Sequence, residues 1–256
     1  MRSDIVIFLG PTLPVREARG YLDAIYLPPA GRGDVLRAMA EHAPRAILLI
    51  DGVFAEAPGV RHQEILFALS RGVEVHGASS MGALRAAELS SEGMVGHGLI
   101  YRWYRRFPLA DDADVAVPMA PAEFGSARLG DPLIDVRMTL RKAERAGVID
   151  MELRGQLEEA AGSLHFRDRT YPLLLAIVEA GFNRSDQLAA LKAWLKTGAI
   201  SQKRSDAITA LRLLSDKRTT TDIQPEHPAF ELTESFACDM KACNLLENLL
   251  PGFNHF

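Results

Sequence analysis

The sequence predicts an α/β fold: a mainly parallel sheet flanked by helices in the N-terminal part, followed by an α-helical C-terminal part. Two observations predict it. Over the first ninety residues, short apolar runs alternate with segments of helical period, the rhythm of a parallel sheet with right-handed crossovers. From about Leu133 onward the period is helical.

Ile5–Leu9 opens the series as a continuous apolar run, β-branched at Ile5, Val6 and Ile7, which is the pattern of a buried strand. Gly10-Pro11-Thr12 ends it. Ala24–Leu27 reads as a second strand, stopped by Pro28-Pro29. After the loop Gly31-Arg32-Gly33, Asp34 is placed to cap a helix reaching about His42, with Val35, Leu36 and Met39 turned inward. Ala46–Ile50 is the third apolar strand and ends at the turn pair Asp51-Gly52. Arg61–Arg71 is helical, with Ile65, Leu66 and Leu69 as its apolar stripe. Val73–Val75 is a strand, Gly77–Gly82 a loop and Ala83–Leu89 a helix. Residues 93–130 are rich in Gly, Pro and aromatics and carry no clear period. Helices are expected at Ile134–Ala146, Asp150–Ala161, Tyr171–Ala180, Arg184–Thr197 and Ser201–Ser215, with a short one around Cys238–Leu250. The expected organisation is an α/β core over residues 1–148, a helical subdomain over 149–215 and a tail over 216–256.

Composition narrows the function classes. With 256 residues, 48% hydrophobic and 24% charged, the chain is long enough for a substantial core and is not of disordered composition. A net charge of −4 lacks the basic excess of proteins that neutralise phosphates, so no nucleic-acid partner is expected. No apolar run approaches a membrane span, and Ile5–Leu9 is too short for a signal-peptide core; a cytoplasmic protein is expected. Cys238 and Cys243, with His227 and His255 nearby, match no usual zinc spacing, so no metal site is expected. The Gly-rich loops fit neither a P-loop nor a dinucleotide fingerprint, and no cofactor is expected.

In a parallel sheet, ligands sit beyond the carboxyl ends of the strands. Three loops should converge there: Gly10–Leu13, Asp51–Phe54 and Gly77–Gly82. The last is the sharpest feature. Two glycines flank Ser79 and Ser80 between a strand and an alanine-rich helix, so that a serine stands at a helix N-terminus, where N–H groups favour an anion or oxyanion. Ala78-x-Ser80-x-Gly82 resembles a nucleophile elbow, although serine caps between glycines are also common in α/β proteins. An elbow needs a base, and His62, His76 and His97 are the candidates. Arg85 and Glu88, three apart, are spaced to pair, or Arg85 faces the site and holds an anion. Asp51 and Thr12 are candidates to position a donor or base, with a plain turn as the alternative. Tyr101–Phe107 (YRWYRRF) mixes aromatics and arginines in a pattern suited to a protein partner, with Tyr101 and Arg102 as candidate contacts.

The run Ala78–Leu89 (ASSMGALRAAEL) resembles the hallmark segment of the TfuA-like family. Phe8–Leu13, Pro28–Ala30 with Gly33–Val35, Ile50–Phe54, Val60–Leu66, Gly93-Met94, Asp111–Ala116, Phe166–Tyr171 and Gln202–Ala207 are similar to other family segments in the same order. The resemblance implies an accessory role beside a YcaO enzyme, which uses ATP to activate a backbone amide of a precursor peptide before sulfur replaces the oxygen. It further implies engagement of a thiocarboxylated sulfur-carrier protein and a serine–lysine hydrolase-like pair; Gly10, Thr12, Asp51, Ser79 and Arg85, placed by the loops described above, are the candidate residues for binding substrate or partner. The serine corresponds to Ser80. The family's His-Lys-Glu corresponds to His62-Gln63-Glu64, so glutamine stands where the lysine is usual, and residues 1–141 contain no lysine. Three assignments stay open: His62 as base, Lys142 reaching in, or a site that binds without hydrolysing. A stand-alone serine hydrolase of a thiocarboxylate or thioester and a non-catalytic binding module remain alternatives. Homo-oligomerisation is left open.

Overall fold

The computed structural model describes residues 4–53, 57–121, 127–181, 184–217 and 230–250. Phe54, His227 and His255 lie outside these described residues. The elements are, in order, β1 Ile5–Phe8, α1 Val15–Ala18, β2 Ile25–Leu27, α2 Asp34–His42, β3 Ala46–Leu49, α3 His62–Ser70, β4 Glu74–Ala78, α4 Met81–Glu88, β5 Val95–His97 and α5 Gly98–Arg106. There follow α6 Leu133–Arg145, α7 Met151–Ser163, α8 Tyr171–Gly181, α9 Ser185–Gly198, α10 Gln202–Lys217, α11 Glu234–Ala242 and α12 Leu246–Leu249.

The strands form one parallel sheet of order β2-β1-β3-β4-β5. This is the predicted α/β architecture with a helical region after it. The order reverses at β1, placing the topological switch between β1 and β3. Because β1 and β3 are central, every residue of both is buried, which explains their unbroken apolar runs. Alternate strand residues divide between two cores. Val6, Phe8, Ile47, Leu49 and Val75 join Val35, Ile65 and Ala86 of the helices on one face. Ile5, Ile7, Leu48 and Ala78 meet Ala18, Leu22 and the α10 residues Ala207, Ala210, Leu211 and Leu214 on the other.

That second core changes the expected domain boundaries. The chain divides into one compact unit of Met1–Pro108 with Arg204–Phe256, and a second of Leu109–Lys203. The sequence reading instead places the change near residue 148 and treats 216–256 as a tail. The difference arises because α10 spends its apolar stripe on the sheet, and α11–α12 spend theirs on α2 and α3: Phe236, Met240, Leu245 and Leu246 are buried with Leu36 and Phe67. The second unit is helical, and its core joins Leu133, Val136, Leu140, Leu153, Leu157, Leu174 and Leu191.

Three elements, α1, β5 and α5, escape the sequence pattern. β5 and α5 lie in the stretch without a clear period, because β5 is three residues long and contains Gly96. Gly33, with φ +85°, rather than Asp34, occupies the N-cap of α2; Asp34 begins the helix and its Oδ2 accepts the Gly31 N–H at 2.8 Å. No helix among the described residues is long and apolar enough to cross a membrane.

Candidate functional site

β4 ends in a sharp turn into α4. Ser79 has φ +67°, and the Ser80 N–H donates to the Ala78 carbonyl at 2.8 Å across it. An i to i+2 hydrogen bond around a residue of positive φ is a γ-turn of the rare, strained kind, which costs on the order of 1–3 kcal/mol at a residue with a side chain. Ser80 then occupies the N-cap of α4 without using its side chain as a cap. Ser79 is fully buried, whereas Ser80 is partly exposed.

The flanking glycines are required by contact. A methyl at Gly77 would overlap the Gly82 carbonyl, and one at Gly82 would overlap the Leu49 carbonyl. The Gly82 N–H donates to the Ile50 carbonyl at 3.3 Å, so the first turn of α4 is seated directly on the end of β3. Met81 is covered in turn by Gly52, where a Cβ would lie 2.7 Å from the Met81 Cγ.

The neighbouring loops are sewn together by Asp51, a buried carboxylate just past β3. Its Oδ2 accepts the N–H groups of Gly10 at 2.9 Å and Thr12 at 3.0 Å, and its Oδ1 accepts the Thr12 hydroxyl at 2.6 Å. The Asp51 carbonyl accepts the Ala30 N–H at 3.0 Å. Gly10, Thr12 and Asp51 therefore form one clasp at the carboxyl edge, at the switch point of the sheet.

His62, a candidate base, opens α3 and is turned outward. Its side chain is 47% exposed, and Nε2 lies 2.7 Å from Glu88 Oε2. Arg85 Nη1 donates to the same oxygen at 2.6 Å, the pairing its spacing predicts, and Arg85 Nε donates to the Val60 carbonyl at 3.0 Å. Burial pushes the Glu88 carboxyl up, but the hydrogen bonds from His62 and Arg85 outweigh it and hold the group below the usual carboxylate range. This trio marks the far end of α4: Glu88 lies eight residues beyond Ser80, about 12 Å along a helix axis. Gln63 Nε2 is 3.5 Å from the Thr233 hydroxyl, and Lys142 donates to the Gly198 carbonyl at 3.0 Å within the second unit.

The buried polar residue of α3 is Glu64, which the sequence reading does not single out. It accepts the Arg61 N–H at 3.1 Å in a capping box, and its other oxygen is buried without a hydrogen-bond partner among the described residues. Burial, aided by the Asp34 charge and opposed by backbone N–H groups, raises its pKa to about 7. Its signal is periodic: Glu64 falls three and four residues before Phe67 and Ala68, which are buried with it.

The elbow, its glycines, Asp51 and the His62-Gln63-Glu64 segment all fall within residues 51–170, the span matched by the profile of the TfuA-like protein family. Over this span the chain is similar to that family. The match covers just under half of the chain and leaves Gly10 and Thr12 outside it. The family is linked to YcaO enzymes as an accessory in thioamidation. No curated protein matches the chain.

Within the TfuA-like span, Tyr101 and Arg102 take separate roles. The Tyr101 ring lies on the backbone of β5, where a methyl at Gly96 would overlap it, and it packs into the core; Arg102 is exposed. His76 and His97 sit side by side on β4 and β5. His76 is fully buried, and its Nδ1 lies 3.0 Å from His97 Nε2. Of the three histidines considered as a base, His97 ends its strand in register with Ala78, the residue before Ser79.

Proposed function

We propose that this TfuA-like protein assists a YcaO enzyme in ATP-dependent thioamidation of a peptide backbone, by engaging a thiocarboxylated sulfur-carrier protein and releasing its sulfur at the Ser79–Ser80 elbow. The observation that supports this reading is the strained γ-turn inside the family-matched span, which presents a partly exposed serine where β4 meets α4. Strain kept at a strand-to-helix turn is a hallmark of sites where one hydroxyl must stand clear of the backbone.

The chemistry follows. The Ser80 Oγ forms a bond to the thiocarboxyl carbon as its proton leaves for a base. The resulting tetrahedral anion is served by the Met81 N–H, directly after the nucleophile, at the positive end of α4. Collapse breaks the C–S bond, and with that proton sulfur departs as hydrosulfide; water then hydrolyses the acyl ester. Asp51 supports the site by holding the loop after β1 in place.

Reconstitution tests the reading. A cognate YcaO enzyme, ATP, precursor peptide and thiocarboxylated carrier are combined with and without this protein, and the thioamide is quantified by mass spectrometry. The yield is expected to fall when the protein is omitted and when it carries Ser80→Ala. Equal yield without the protein overturns the proposal. A second reading, carrier binding without hydrolysis, has the support of Gln63, an amide that supplies no amine base. Full yield with Ser80→Ala, but not without the protein, would select it.

A further inference from the structure

α5 carries three arginines on one side of a short helix. Arg102, Arg105 and Arg106 stand at i, i+3 and i+4 and are all exposed, while Ile100 and Tyr104 are buried. Several arginines elsewhere meet carboxylates: Arg45 pairs with Asp4 and Glu74, Arg85 with Glu88, Arg137 with Asp114 and Arg184 with Asp150. Among the described residues, no carboxylate pairs with the three on α5. Arg105 Nη1 donates to the Ser90 hydroxyl at 2.5 Å, and the Arg106 guanidinium lies 5.9 Å from the centre of the Phe107 ring. Phe107, 44% exposed, rests in turn on Trp103, with 4.5 Å between ring centroids.

Like charges at these spacings repel one another and weaken the helix that bears them. The helix dipole offsets this for Arg105 and Arg106, which lie in the last turn, but not for Arg102. In a chain of net charge −4, the face is a local basic patch with an aromatic edge. Arginine and tryptophan are prominent among the residues that carry binding energy in protein interfaces, and a cationic face selects an anionic one.

The place of the patch relative to the elbow narrows the partner. α4 and α5 pack together, and the bond from Arg105 to Ser90 fixes the basic end of α5 beside the residue that follows the C-cap of α4. Ser90 is ten residues beyond Ser80, about 15 Å along a helix axis. An extended chain of about five residues spans that distance. A thiocarboxylate at the end of a folded carrier has to enter the elbow on an extended terminus, while the folded body rests on the surface nearby. We propose that the body of the sulfur-carrier protein docks on the α5 face through an acidic surface with an apolar centre. Its carboxylates meet Arg102, Arg105 and Arg106, and its apolar side chains cover Phe107 and Trp103. The inference rests on the elbow being the sulfur-releasing site.

The test measures binding of the fluorescently labelled carrier, in its unreactive carboxylate form, to the full-length protein by fluorescence anisotropy. Raising the ionic strength from about 0.01 to 0.15 M shortens the Debye length from about 30 to 8 Å and is expected to weaken binding about tenfold. Reversing the charges together, with Arg102→Glu, Arg105→Glu and Arg106→Glu, is expected to weaken it on the order of 100-fold. Phe107→Ala is expected to weaken it about tenfold. Arg102→Gln, a neutral change at an exposed helix position, is expected to weaken binding about threefold and to flatten its salt dependence, which keeps the proposal testable should the triple reversal disturb α5. Carrier binding indifferent to the reversal and to Arg102→Gln overturns the inference, as does binding indifferent to salt. Tighter binding of a labelled oligothymidylate than of the carrier, lost on the same reversal, overturns it too, because the patch then serves nucleic acid. A thioamide yield that needs this protein, with carrier binding indifferent to the arginines, would overturn the docking surface alone. Arginine-dependent carrier binding with a yield that does not need the protein would overturn the thioamidation reading and leave the docking surface standing.

Discussion

The Thr12 hydroxyl donates to Asp51 Oδ1 at 2.6 Å, while the Thr12 N–H donates to the other oxygen of the same carboxylate at 3.0 Å. One residue after β1 is thus held at two points by one residue after β3, across the position where the order of the sheet reverses.

Thr12→Val keeps the backbone bond and removes the hydroxyl. Hydrogen bonds to a charged acceptor are worth about 1.5–3 kcal/mol, so this variant is expected to lose stability in that range. Asp51→Ala strands two backbone N–H groups as well as the hydroxyl and is expected to cost more than Thr12→Val. Urea denaturation of the three proteins checks the order. Asp51→Ala as stable as wild type would show that the clasp does not hold the loops.

Gly82→Ala places a methyl into the Leu49 carbonyl, and neither the strand backbone nor the helix backbone can move aside as a flexible side chain would. Overpacking of this kind costs about 1–3 kcal/mol. The displaced first turn of α4 carries Met81 with it, so thioamide yield in the reconstituted reaction is expected to fall alongside the denaturation midpoint.

Glu64 makes stability depend on pH. Its folded pKa of about 7 lies above the ordinary 4.5, so the folded state holds a proton that the unfolded state releases. The contribution is fully present below pH 4.5 and is lost as pH rises through about 7. At 1.36 kcal/mol per unit, this amounts to roughly 3 kcal/mol at most. Glu64→Gln removes the titration, and its stability relative to wild type is expected to improve between pH 4.5 and about 7 and to level off above that. Parallel stability curves over that interval would show that Glu64 does not titrate there.

Much of the architecture was legible because buried parallel strands must be apolar throughout. Ile5–Phe8 and Ala46–Leu49 lie inside runs that read as strands on that ground alone. The elbow was legible for a related reason: Gly77 and Gly82 are where two backbones touch, and only glycine fits. His62 was not legible. Its neighbours Ile65 and Leu66 place it near the buried stripe, but Glu88, twenty-six residues away, draws it outward.

The sequence by itself determined which segments are strand and helix, and that Ser79 and Ser80 stand between two obligatory glycines, since those features depend on local period and on the space a side chain occupies. Only the tertiary structure decided that α10 closes the second face of the sheet, that Asp51 clasps Gly10 and Thr12, and that His76 on β4 meets His97 on β5 and Glu74. Those relationships join residues far apart in the chain: the pairing of β1 with β3 brings Thr12 to Asp51, and the β4–β5 register, Ala78 with His97 and His76 with Val95, brings the two histidines together.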